Sequence, residues 1–165
     1  MKKVGRPDLR PMRDKTLEEL EGFVAGDPPY DSSLVTTIYA LRKKPIGEFT
    51  TEDLRITIRQ GRGIPYLLPL ALERLEADPF AAGHFYRGDL LMAVLEAEPH
   101  WGGRADVRAR VRRVIERALQ QLGAVEPVDW SADELPDPDR LDQSDRDSVE
   151  PRLREALGKL TAAAG

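Results

Sequence analysis

The stretch Gly63-Ile64-Pro65-Tyr66-Leu67-Leu68-Pro69-Leu70-Ala71-Leu72-Glu73-Arg74-Leu75 decides the fold class. Leu67, Leu68, Leu70, Ala71, Leu72 and Leu75 leave almost no polar face, which predicts a buried central helix. Pro65 suits the first helical turn, where a missing N–H breaks no bond. Pro69 lies one turn further on, where the cost is small or the helix bends slightly. A helix apolar nearly all round must be wrapped by others, and the flanking sequence offers them.

Upstream, Thr16 and Glu19 fit a capping box. They predict a short helix over 17–23, ended by Gly26-Asp27-Pro28-Pro29. Asp31 or Ser32 caps a second helix, with Leu34, Val35, Ile38 and Leu41 at helical spacing. Lys43 and Lys44 suit its C-terminal dipole, and Pro45 stops it. Thr50 or Thr51 caps a third helix, with Glu52 and Asp53 in its first turn and Leu54 and Ile58 on one face. The alternation Arg55-Ile56-Thr57-Ile58 also fits a strand; the cap in front favours a helix. Downstream, Asp78-Pro79 closes the central helix and Asp89 caps a fifth over 90–97. A sixth covers 104–122, its stripe formed by Val107, Val111, Val114, Ala118 and Leu122. A last amphipathic helix covers 151–162, with Leu153, Leu157 and Leu160 inward. The expectation is all-α, a compact bundle of about six to seven short helices.

Charge divides the chain. Residues 1–15 carry six basic and two acidic side chains and read as a flexible basic arm. Residues 16–123 form the helical domain. Within 124–150, residues 126–150 carry ten acidic and two basic side chains, with Pro127, Pro136 and Pro138. So polar a stretch buries too little surface to offset its ordering entropy and reads as mobile, with Trp130 its one docking residue. Residues 151–165 hold the closing helix. At 165 residues with no Cys, the chain has room for one domain and no disulfide framework, Cys-ligated zinc or thiol nucleophile. The basic start lacks an apolar h-region, so a cytoplasmic protein without a secretory signal or membrane span is expected.

The chemistry-bearing residues are few. His84 and His100 are the acid–base candidates; a catalytic role needs an orienting carboxylate, and neighbouring Asp89 is already explained as a cap. Gly61-Arg62-Gly63 lacks the Gly-Lys-Ser/Thr of a phosphate loop, and Asp137, Asp139 and Asp142 lack the Gly and closing Glu of a calcium loop. No catalytic, cofactor or metal residue is assigned. Arg104, Arg108, Arg110, Arg112, Arg113 and Arg117, against Asp106 and Glu116, give the sixth helix a net charge of +4. That is either a solvated face or a nucleic-acid-binding regulator's helix. The acidic segment after it would repel phosphate and favours the first. It would equally screen that helix from nonspecific nucleic acid.

Several linked blocks are more specific. They run Leu41-Arg42-Lys43-Lys44-Pro45-Ile46-Gly47-Glu48-Phe49-Thr50-Thr51-Glu52-Asp53-Leu54-Arg55, then Gln60-Gly61-Arg62-Gly63-Ile64-Pro65-Tyr66-Leu67-Leu68-Pro69-Leu70-Ala71-Leu72-Glu73, continue through Leu75-Glu76-Ala77-Asp78-Pro79, and end at Phe85-Tyr86-Arg87-Gly88-Asp89-Leu90-Leu91. With Leu17-Glu18-Glu19-Leu20-Glu21 and Pro28-Pro29-Tyr30-Asp31-Ser32, the chain over 16–101 resembles bacterial contact-dependent growth inhibition immunity proteins. The resemblance implies a small helical, non-enzymatic protein that binds the C-terminal toxin domain of a cognate effector in the cytoplasm. Toxin activity is not implied by it. A nuclease toxin, with its basic cleft, would suit an acidic inhibitor. Glu48, Glu52, Asp53, Glu73 and Glu76 are the acidic candidates for partner binding, although Asp53 also stands where a cap partner would. Tyr66 and Tyr86 are candidate aromatic anchors, with half-buried packing as the other reading of both. The oligomeric state is left open.

Overall fold

The computed structural model describes residues 10–126 and 140–162. Thr16 opens α1 (Leu17–Glu21) with the predicted reciprocal cap: its hydroxyl accepts from Glu19 N–H at 3.2 Å and its own N–H donates to the Glu19 carboxylate at 2.7 Å. The helix stops at Gly22 rather than running on to Phe23, because Gly22 takes a left-handed conformation that other residues avoid. Next comes α2 (Ser33–Leu41), which follows Ser32 without a side-chain cap bond and buries only Leu41. Thr50 and Asp53 cap α3 (Thr51–Arg59) reciprocally, at 3.1 and 2.9 Å. Residues 55–58 are therefore helical, and the strand alternative is excluded. The described residues contain no β-strand; one isolated antiparallel bridge joins Thr16 to Pro45.

The central helix is α4 (Ile64–Ala77), with Pro65 in its first turn and Pro69 inside it. Seven of its residues, Ile64, Leu67, Leu68, Leu70, Ala71, Leu72 and Leu75, are buried. Gly63 enters it at φ 59°, and a Cβ there would lie 2.7 Å from Leu17, so the turn demands glycine. Around α4 stand α5 (Asp89–Glu96), the short α6 (Glu98–Trp101) and α7 (Ala105–Gly123), with α8 (Gln143–Ala162) against α7. α3 packs on α4 and α5. One apolar cluster runs through them all, from Leu17 to Leu160. Trp101 closes the α5–α6 corner, its indole N–H donating to Val94 O at 2.8 Å.

Three further boundaries differ from expectation. Asp89 is the first residue of α5 and Gly88 its cap position; the Asp89 carboxylate turns back to the preceding loop instead. The last helix begins at Gln143, before the expected 151. Asp142 and Asp145 cap it reciprocally, at 2.9 and 3.0 Å, and Arg146 and Arg154 both pair with Glu150. These outweigh the interior Pro151, which a sequence reading takes as a start signal. Residues 10–15 of the expected arm are pinned, since Gly47 N–H donates to Arg13 O at 2.8 Å and Ile46 N–H to Lys15 O at 2.9 Å. Residues 1–9 and, in the acidic Pro-containing segment, residues 127–139, including Trp130, lie outside the described residues.

Candidate partner-binding surface

The predicted acidic residues fall into two groups. Glu48 and Glu52 line one open groove of about 480 Å³ with Thr50, Thr51, Arg74 and His84. Arg74 braces its floor, donating to Thr51 Oγ1 at 2.8 Å and also to Phe49 O. Glu48 is exposed. Glu52 is buried, held by Arg55 through two bonds of 2.7 Å. Its Oε2 also accepts from His84 N–H at 2.9 Å. The Arg55 bonds hold the Glu52 carboxyl below its usual range, and Glu52 in turn raises Arg55. Asp53 is capped into α3 and bonded to Lys44 at 2.7 Å. Burial pushes its carboxyl up, but the bonds from Lys44 and Thr50 outweigh that and leave it lowered.

The second group sits on α4. Glu73 pairs with Arg13 at 2.5 Å and stays half exposed. The Glu76 carboxylate accepts from Nε and Nη2 of Arg110, at 2.7 and 2.9 Å, and its backbone O accepts from Arg117. It ties α4 to α7. Tyr66 packs partly buried, with its hydroxyl donating to Leu20 O at 2.9 Å. Tyr86 is exposed at 42%, near Arg152. Of the seven residues proposed from sequence, Glu48, Glu73 and Tyr86 therefore reach solvent, while Glu52, Asp53, Tyr66 and Glu76 hold elements together.

What sequence reasoning missed is the pair Arg55 and Asp89. Asp89 accepts from Gly83 N–H at 2.6 Å and from Phe85 N–H at 3.1 Å, and lies 3.6 Å from the Arg55 guanidinium. Arg55 stacks beneath the Phe85 ring, 4.4 Å from its centroid. Two carboxylates and one guanidinium thus stitch the α4–α5 connection to α3. Gly83 is glycine because a Cβ would collide with the Glu52 carboxylate. The available signal was Glu52 and Arg55 one turn apart; the Asp89 contribution is long-range.

His84 lies 3.8 Å from Glu52, beyond a hydrogen bond, and is 79% exposed. His100 is exposed against Gly61. The described residues include no group of three or more His, Asp or Glu placed to hold a metal, and no helix long and apolar enough to cross a membrane. On α7, Arg110 and Arg117 bind Glu76, Arg112 pairs with Glu116, Arg104 with Asp106, and Arg108 donates to Leu160 O. Arg108, Arg110 and Arg117 are thus tied into the fold, while Arg104 and Arg112 stand in exposed local pairs.

A family model described as CDI immunity proteins matches residues 19–111. That span covers nearly all of the resembling stretch and runs from α1 into α7. No curated protein and no solved structure matched the chain.

Proposed function

This chain belongs to the CDI immunity protein family, and on that premise we propose that it binds the C-terminal toxin domain of a cognate contact-dependent growth inhibition effector and blocks it. Membership implies a toxin-neutralising protein; the partner, the place and the mode are our reading. The protein acts in the cytoplasm by occupancy, without cofactor and without turnover. The family match carries this reading. Two features support it: the chain is acidic overall, with a net charge of −4, and His84 lies beyond hydrogen-bond distance of its nearest carboxylate. The toxin class that suits the acidic character of this chain is a nuclease, because carboxylates compete for a cleft built for phosphate.

The test is co-expression of this chain with its cognate toxin domain. Cells carrying both are expected to grow, and the purified pair to form a stable complex by titration calorimetry. A folded chain that neither protects nor binds overturns the reading. The variant His84→Ala with His100→Ala is expected to protect as well as the parent. Loss of protection at an unchanged melting temperature would refute inhibition by binding alone.

A further inference from the structure

Residues 21–31 are exposed with the single exception of Ala25, yet the segment is braced. Phe23 N–H donates to Glu18 O at 3.1 Å, and Ala25 N–H to the Glu18 carboxylate at 3.1 Å. The buried Arg42 guanidinium donates to Phe23 O at 3.3 Å, pairs with Glu21 at 2.7 Å, and lies 5.5 Å from the Phe23 ring centroid. Phe23 nevertheless shows 62% of its surface, Val24 75%, Tyr30 66% and Leu34 43%. Scattered exposed apolar residues are ordinary, but a cluster of large ones marks an interaction site. The adjoining α2 is apolar in sequence and buries only Leu41. An aromatic ring held in place while exposed loses little freedom on binding, which is what an anchor requires.

The segment's own charge has one sign, and the cation that braces it, Arg42, is buried and paired with Glu21. Residues 17–41 contain Glu18, Glu19, Glu21, Asp27 and Asp31 and no Lys, Arg or His. Such a rim repels nucleic acid. It also opposes a two-fold contact between copies, which would bring two acidic stretches together. It fits a cationic protein surface with an apolar centre.

We propose that the exposed apolar stretch 23–34, rimmed by these carboxylates and braced by Arg42, seats a basic protein domain. This rests on the toxin-binding reading above and names the surface and the charge of the partner. Phe23, Val24 and Tyr30 supply the anchoring contacts, and Asp27 and Asp31 steer the approach.

The experiment uses the full chain and the purified, inactivated cognate toxin domain, with binding rates measured at low and high salt. Val24→Ser with Tyr30→Ser is expected to raise Kd by at least about tenfold, as loss of anchor residues does. Asp27→Lys with Asp31→Lys is expected to slow association, by a factor that shrinks as salt rises. Glu116→Lys with Glu155→Lys, exposed acids on α7 and α8, is expected to leave Kd within about twofold, the scale of rim contacts. All three pairs change exposed side chains, so melting temperatures should match the parent and confirm folding. If the parent binds and both 23–34 variants bind equally well, this surface is overturned and the toxin-binding reading survives. A parent dimer that Val24→Ser with Tyr30→Ser dissociates, with toxin affinity unchanged, assigns the patch to self-association and overturns the proposal. A parent that does not bind the domain at all overturns both.

Discussion

At the scale of single residues, Arg55 carries the most. It neutralises Glu52 and Asp89 together, and both carboxylates are buried. Removing one member of such a set leaves charge uncompensated in a poor solvent, at a cost of about 3–5 kcal/mol. Arg55→Met is therefore expected to lower the urea unfolding free energy on that scale, whereas Arg59→Met, on an exposed pair, should fall within about 1 kcal/mol. Glu52 has an acid signature as well. Its carboxyl is lowered from 4.5 in the fold, so its stabilisation is fully present above that value. It is lost as pH falls through the folded pKa, when the proton breaks the bonds to Arg55 and His84 N–H. Asp53, lowered from 3.8, adds to the same acid limb. Urea midpoints followed from neutral pH into the carboxylate range should therefore fall less steeply for Glu52→Gln than for the parent. Charge reversal at Glu52 is expected to unfold the α4–α5 connection rather than to slow a partner's association, because that side chain is internal.

At the scale of elements, caps decide where helices begin and long-range partners decide where they continue. The reciprocal caps Thr16–Glu19 and Thr50–Asp53 were legible because their partners are three residues apart. Asp142–Asp145 follows the same logic but lies in a stretch whose acidity reads as disorder. Asp142→Ala is expected to cost about 1 kcal/mol, as loss of an N-cap does. Helicity measured by far-UV circular dichroism should then fall first at the start of α8. Unchanged stability would mean that Val149 and Leu153 alone hold that helix. α2 teaches the converse: Leu34, Val35 and Ile38 have helical spacing, but only Leu41 of this helix is buried. Periodicity identifies a helix; it does not guarantee that the apolar face is covered.

At the scale of the molecule, the core is one cluster to which every helix from α1 to α8 contributes. Leu153 is fully buried on α8, so Leu153→Ala is expected to cost about 2–5 kcal/mol, the range for truncated core leucines. Because the cluster is continuous, the described helices should unfold together. Far-UV circular dichroism and Trp101 fluorescence, read in a Trp130→Phe background, should shift by the same amount. A circular dichroism transition that moves alone would make α7 and α8 a separate cooperative unit.

The amino-acid sequence by itself determined the helical class, the central position of residues 64–77, two of the caps and the family. Each depends on neighbours within a few turns or on blocks in fixed order. It also marked residues with charge or aromatic character, but not which of them are available. Glu52 and Glu76 read as surface acids and prove to be internal braces, because Gly83, Asp89 and Arg110 arrive from far along the chain. Phe23, expected as the last residue of a helix, stands exposed with Val24 and Tyr30, because no described helix packs over them. Availability is a property of what covers a residue, and covering is settled only when distant segments compete for the same core.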